Sequence, residues 1–470
     1  MADTIHRPEQ QVIRDGFGTS AGKARSKTGY NPLYHTQKRV LGNGVELYAT
    51  HVPSSDDTQW IVRISVGSEN DPQGKAGLAH VYEHVCFLGT DKRTAFDISA
   101  SVSDRGGDIN ASTSYDSTSY ELSLPNEGDN LEFGTDLIAD IIKNTRFRGP
   151  KIQREIEVIA NEHGEGQDDE WNHLLDLRAE TVFYDQPHAK GIIGSEDEYK
   201  TVTAHDLRHF HRQYYVGPNV RVFICGNQDP QEMLDVAQAH FSNLSDGPKN
   251  EPVEMKFHPE VATRDKQTVQ NYCMVAWPCD IGDRDGFRPE FYMLRNVFER
   301  FLDEQRQRVS SFYGIEYTHT HHLNGSVCAL ETSTRPETTV KMVDELLGYG
   351  LRGIQKYITP DLFETIKQNT ERNMVKARQD ADTADIVELV ADGVCYFGDI
   401  PDFDKRQKQL HDLSYQDFMN FVGAIFVREP AILALGSGVE ELKPALEALK
   451  AAPKFDRQRG KIRNRMSGPA

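Results

Sequence analysis

Apolar residues along this chain repeat with two periods, and the switching between them marks out its elements. Alternation with a period of two reads as strand, and apolar residues at i, i+3, i+4 and i+7 read as helix. Asn43-Gly44 between two strand-like runs predicts a hairpin. Trp60, Val62, Ile64 and Val66 alternate with polar or smaller neighbours and predict a half-buried strand. Short strands over 109–113 and 118–124 form an antiparallel pair around Tyr115-Asp116, after a short helix over 96–102. Helices are expected near 130–143, 151–163 and 168–184, then a buried strand over 220–225 and a helix over 230–241.

The second half repeats this order. A strand near 267–277 precedes a long helix near 287–307; strands near 315–322 and 326–333 follow, then helices near 337–357, 360–379 and 383–396. The strand 431–436 and a helix near 439–450 mirror the end of the first half. The pattern predicts an α+β fold of two topologically similar domains, each a mostly antiparallel sheet packed with helices. The boundaries expected are a flexible arm over 1–30, a first domain over 31–245, a proline-containing linker over 246–260, a second domain over 261–452 and a basic tail over 453–470.

One helical stretch carries chemistry. In Gly77-Leu78-Ala79-His80-Val81-Tyr82-Glu83-His84-Val85-Cys86-Phe87-Leu88-Gly89, the residues Leu78, Val81, Tyr82, Val85 and Leu88 make an apolar stripe. His80, Glu83, His84 and Phe87 fall opposite it. Histidines at i and i+4 stand one turn apart, so both imidazoles can reach one ion. Glu83 can reach a water on that ion without binding the ion itself. Two histidines and a glutamate on a helix are often only a solvated face; here the apolar opposite stripe holds the helix against a core.

A third ligand is sought in the stretch from Pro150 to Gly164, a second predicted helix. Glu155 and Glu162 are seven apart and share a face. With Glu162 on the metal, Glu155 can hydrogen-bond towards a ligating histidine. The strand 109–113, rich in Ala, Ser and Thr, suits pairing with an extended peptide if it lies at a sheet edge.

Composition narrows the partners. The chain has 470 residues, with 53 Lys and Arg against 72 Asp and Glu, a net charge of −19. That charge argues against nucleic acid and anionic membranes as partners. Six scattered cysteines without a C-x-x-C pair read as reduced thiols. With no apolar signal core in view the reading is cytoplasmic, or periplasmic or secreted if a signal has been removed.

The motif H-x-x-E-H at His80, Glu83 and His84, followed by the Glu155 and Glu162 helix, resembles the inverse-motif zinc peptidases of the pitrilysin, insulinase and mitochondrial-processing-peptidase group. Leu41-Gly42-Asn43-Gly44-Val45, Val66-Gly67-Ser68 and Gly107-Asp108-Ile109-Asn110-Ala111-Ser112-Thr113 extend the resemblance, which spans roughly residues 35 to 450. It implies a zinc endopeptidase acting on extended peptides, with one zinc per chain on His80, His84 and Glu162 and with Glu83 as the proton acceptor for an ion-activated water. It implies peptide contacts at Asn110 and Ala111. It implies a tyrosine and an arginine in the second domain, for which Tyr317 in Gly314-Ile315-Glu316-Tyr317 and Arg306 are the matches, with Arg308 competing. The Arg306–Tyr317 gap is about four residues longer than the family pattern. Some relatives are non-catalytic scaffold subunits and others need a metal-free partner. The expected assembly is therefore a heterodimer with a metal-free homologous subunit, or a homodimer.

Overall fold

The computed structural model describes residues 35–279, 288–308, 314–323 and 325–451, and not the side chains of 306–308, 321, 351, 352, 379 and 380. The arm over 1–30 and the tail from 453 fall outside these residues.

Two sheets organise the chain. The first contains β1 (Thr36–Val40), β2 (Glu46–His51), β3 (Asp57–Ile64), β4 (Asp108–Thr113), β5 (Thr118–Pro125) and β6 (Val220–Gly226), in the order β1-β2-β6-β3-β5-β4. The second contains β7 (Val261–Asp265), β8 (Asn271–Pro278), β9 (Ile315–His322), β10 (Gly325–Thr334) and β11 (Ala431–Gly436), in the order β7-β11-β8-β10-β9. Without β1, the two orders are the same in chain sequence. β6 runs parallel to β2 and β11 parallel to β7, and every other pairing is antiparallel. The fold is α+β with two domains of one topology, as the repeated pattern predicts.

The apolar stripe of the motif helix (Leu78–Cys86) packs with Trp60, Val62 and Tyr120 in the core of the first sheet. A separate core lies on the second sheet around Trp277, Phe298 and Phe426. Each half also lends a helix to the other. The helix Glu170–Val182, from the first half, sets Leu174, Leu175 and Val182 against Met274, Ala276, Leu433 and Leu435 of the second sheet. The helix Thr383–Phe397, from the second half, sets Ile386, Val387, Val390 and Val394 against Tyr48, Ile61, Phe223 and Cys225 of the first.

This exchange corrects one expectation. β3 is not half-buried: Ile61 is only 4 % exposed and Arg63 3 %, because the helix Thr383–Phe397 covers the face that alternation assigned to water. Other differences are local. The strand expected near 267–277 is β8, which starts at Asn271, and β7 precedes it as a further strand that the pattern does not predict. The helix expected over 337–357 is interrupted by a π-type turn at Tyr349–Gly353. Among the described residues, the unpredicted helices of ten residues or more are Ala204–Tyr214, Phe403–Asp412 and Tyr415–Phe426.

Arg63 fastens the exchanged helix. Its guanidinium makes 2.7 Å ion pairs with Glu388 and Asp392 and donates a 3.1 Å hydrogen bond to the Ser119 hydroxyl. Burial alone would lower the Arg63 pKa; the charges of Glu388 and Asp392 outweigh it and keep the group ionised. Replacing Arg63 by Met leaves the mostly buried Asp392 and the more open Glu388 without their counter-charge. We expect a loss of about 3 kcal/mol in urea unfolding, with part recovered when Glu388→Gln and Asp392→Asn are added. A loss under about 1 kcal/mol would show that the pair does not hold the two halves together.

Candidate metal centre

The site begins with how the motif helix is started. Gly77 stands at φ +93°, and a Cβ there would lie 2.1 Å from the Ile193 carbonyl oxygen, so only glycine fits. The N–H groups of a helix's first turn have no partner inside the helix. Here the Asp71 carboxylate accepts from Gly77 N at 2.6 Å and from Ala79 N at 2.8 Å, while Glu198 accepts from Ala76 N at 2.8 Å. These bonds fix the position of the helix, and with it the position of His80.

The glutamate helix (Gly149–Gly166) buries Ile152, Ile156 and Ile159 on one face, which turns Glu155 and Glu162 towards the motif helix. Glu162 Oε2 lies 3.4 Å from His84 Nε2, and Glu162 Oε1 lies 3.8 Å from His80 Nε2. One donor atom from each of His80, His84 and Glu162 lies within 4.8 Å of the others. Among the described residues no other group of three such side chains comes as close. On the far side of the ring, His84 Nδ1 meets Glu155 Oε1 at 3.0 Å. Glu83 is not one of the three donors, and its Oε2 accepts a 2.9 Å hydrogen bond from the Thr113 hydroxyl. The polar face of the motif helix is not solvated: His80 is 5 % exposed and Glu83 9 %.

Electrostatics suit the cluster to a cation. Burial, aided by His84, pushes the His80 pKa down to about 4, which leaves its ring neutral with a free lone pair. Burial also works against a proton on His84, but the hydrogen bonds to Glu155 and Glu162 and the charge of Glu83 outweigh it and raise the pKa to about 10. The hydrogen bond from His84 lowers the Glu162 pKa, and burial raises that of Glu83. Positive charge is therefore drawn to the point between the carboxylates. Tetrahedral zinc with bonds of about 2.0–2.1 Å sets its ligands roughly 3.3 Å apart, close to the spacing at Glu162. The donor set of two imidazoles and one carboxylate fits that ion. The two imidazoles differ in support: among the described residues His80 Nδ1 is buried without a hydrogen-bond partner, unlike His84 Nδ1.

The remaining sequence candidates separate. Asn110 is exposed and Ala111 half-buried on β4, which is an edge strand of the first sheet. Tyr317, on β9, is half-buried against the second core. Its ring stacks on Phe298 at 4.6 Å in the second core, and its hydroxyl is buried. Arg306 and Arg308 fall on the last turn of the helix Pro289–Arg308, and their side chains lie outside the described residues. Asp71, Glu198 and Thr113 were assigned no role from sequence. Asp71 and Glu198 lie 6 and 122 residues from the amides they hold, with no motif to connect them.

A two-sheet α+β fold with a paired-histidine helix facing a glutamate helix has the architecture of the inverse-motif metallopeptidases. Residues 48–196 match the family model described as insulinase (peptidase family M16), and residues 201–370 match that of the peptidase M16 inactive domain. The chain belongs to this insulinase family. It is 30 % identical over 216 residues to an uncharacterized zinc protease of Mycobacterium leprae, covering 46 % of this chain and 48 % of that one. It is 32 % identical over 216 residues to a probable mitochondrial-processing peptidase subunit beta of Arabidopsis thaliana, covering 45 % of this chain and 40 % of the relative. The chain thus spans about half the length of the curated relatives it matches. In fold it is similar to a protease from Helicobacter pylori, with a TM-score of 0.73 at 20 % identity over 87 % of this chain and 100 % of that one. The first half of the periplasmic protease PqqL from Escherichia coli gives 0.74 at 20 % identity over 90 % and 98 %. Among the described residues, no helix is long and apolar enough to cross a membrane.

Proposed function

We propose that this chain is a zinc-dependent endopeptidase that hydrolyses extended peptides. The observation that carries the reading is the convergence of His80, His84 and Glu162 within 4.8 Å, with the separate carboxylate of Glu83 beside them. His80, His84 and Glu162 would hold one zinc per chain. A zinc ion held there would supply Lewis-acid polarisation of the scissile carbonyl and a bound water with its pKa lowered towards about 7. Glu155 holds the His84 ring through Nδ1, which keeps Nε2 directed at Glu162. Glu83 accepts the proton of the attacking water and returns it to the leaving amine. Strand β4 offers its free edge, with Asn110 and Ala111, to an extended peptide. A purely structural subunit would have no use for the complete donor set together with a buried base, and the chain keeps both.

Glu83→Gln should retain zinc and fold while peptide hydrolysis falls by about 10²- to 10⁴-fold, because an amide cannot take the proton. Metal analysis and turnover of a quenched fluorescent peptide check this. Turnover within a few-fold of the wild type would assign the proton to another group.

The assembly part of the reading is that the chain works as a dimer. A metal-free homologous subunit is the first partner to test and a second copy the alternative. The match for the arginine and tyrosine in the second domain is irregular, and a facing subunit would supply the complementary surface. Light scattering and activity on dilution address the point together. We expect a two-chain species whose specific activity falls as it dissociates; a monomer with undiminished specific activity on dilution contradicts the dimer.

A further inference from the structure

Thr113 ends β4, and its hydroxyl is the hydrogen-bond donor that Glu83 receives from outside its own helix among the described residues. Both groups are covered, Thr113 to 5 % exposure and Glu83 to 9 %. Along β4, Ile109, Ala111 and Thr113 share one face. Ile109 and Ala111 pack on the core of the first sheet, so on that face only Thr113 brings a donor. The end of the strand is held from several sides. Ser114 and Tyr115 carbonyls accept from Ser68 N and Glu69 N at 3.0 and 2.9 Å, Ser114 N donates to Ser117 O at 2.8 Å, and Asp116 accepts from Leu323 N of the second half at 2.8 Å. The hydroxyl is therefore delivered by a fixed backbone and not by a loop that could follow the glutamate.

We infer that Thr113 is a positioning residue for the base, tying the carboxylate of Glu83 to the same strand whose edge receives the peptide. The inference rests on the peptidase reading for its consequence in turnover, but not for the geometry it asserts. Holding Oε2 leaves Oε1 as the oxygen free to meet the attacking water. A hydroxyl both donates and accepts, so by rotation it serves the carboxylate before proton transfer and the acid after it. A peptide paired with β4 and the base fixed to β4 then share one rigid reference, and the distance between carbonyl carbon and base does not depend on separate elements moving together.

Thr113→Val keeps the branched shape and removes only the donor; Thr113→Ser keeps the donor. In Thr113→Val we expect kcat to fall about 10- to 100-fold with KM, zinc content and thermal midpoint unchanged, and Thr113→Ser to restore most of it. A second readout needs neither metal nor activity. A crystal structure of the metal-free Thr113→Val chain should show the Glu83 carboxylate rotated away or in more than one rotamer, and that of Thr113→Ser should show it returned. A single unchanged Glu83 rotamer in Thr113→Val overturns the inference. So does a kcat within about twofold of the wild type, or equal losses in Val and Ser with a lowered midpoint. A wild-type chain that hydrolyses no peptide defeats the peptidase reading alone, and the rotamer comparison still decides the role of Thr113.

Discussion

The structure depends on holding one nine-residue helix still. His80 and His84 are useful as a pair only if the turn that separates them is fixed relative to Glu162, which comes from another helix about eighty residues away. Burial of Leu78, Val81, Tyr82 and Val85 at zero exposure anchors one face of that helix. Removing apolar side chains of this kind from water contributes about 1.5–3 kcal/mol each, far more than the surface polar contacts nearby. Asp71, Glu198 and the Gly77–Ile193 contact set where the helix begins, while Thr113 and Glu155 set how its polar side chains point. The apolar face gives the strength of attachment, and the hydrogen bonds give the orientation.

The duplicated topology supplies the platform. Two sheets of the same strand order would each leave one face open to water. The reciprocal exchange of Glu170–Val182 and Thr383–Phe397 covers those faces, so the halves are joined by two apolar clusters and not by the linker alone. Arg63 with Glu388 and Asp392 adds direction to one of these contacts. The second half keeps the architecture without the H-x-x-E-H motif, and a contact such as Asp116 with Leu323 lets it brace the strand end beside Glu83.

What could be read from the sequence is what local spacing determines. The i, i+4 histidines, the seven-residue interval between Glu155 and Glu162, and the Asn43-Gly44 hairpin are all properties of a few consecutive residues, and each is found in the fold. Features made by distant chain were not legible. The covered second face of β3 is created by a helix more than three hundred residues later, as the Arg63–Asp392 separation of 329 shows. Thr113 reaches Glu83 across 30 positions, and no periodicity links the two. The stacking of Tyr317 on Phe298 likewise joins residues that no local spacing connects. The helices Ala204–Tyr214 and Tyr415–Phe426 do carry a local signal: Thr203 with Asp206, and Ser414 with Asp417, each capping a first turn.

The central claim is that His80, His84 and Glu162 form the zinc site of this chain. Crystals grown with one equivalent of zinc and measured on either side of the zinc absorption edge test it most directly. The account predicts a single strong anomalous peak per chain, within bonding distance of His80 Nε2, His84 Nε2 and a Glu162 oxygen, with Glu83 outside the coordination shell. A peak at any other group of side chains, or none at this one with zinc in stoichiometric supply, would contradict it.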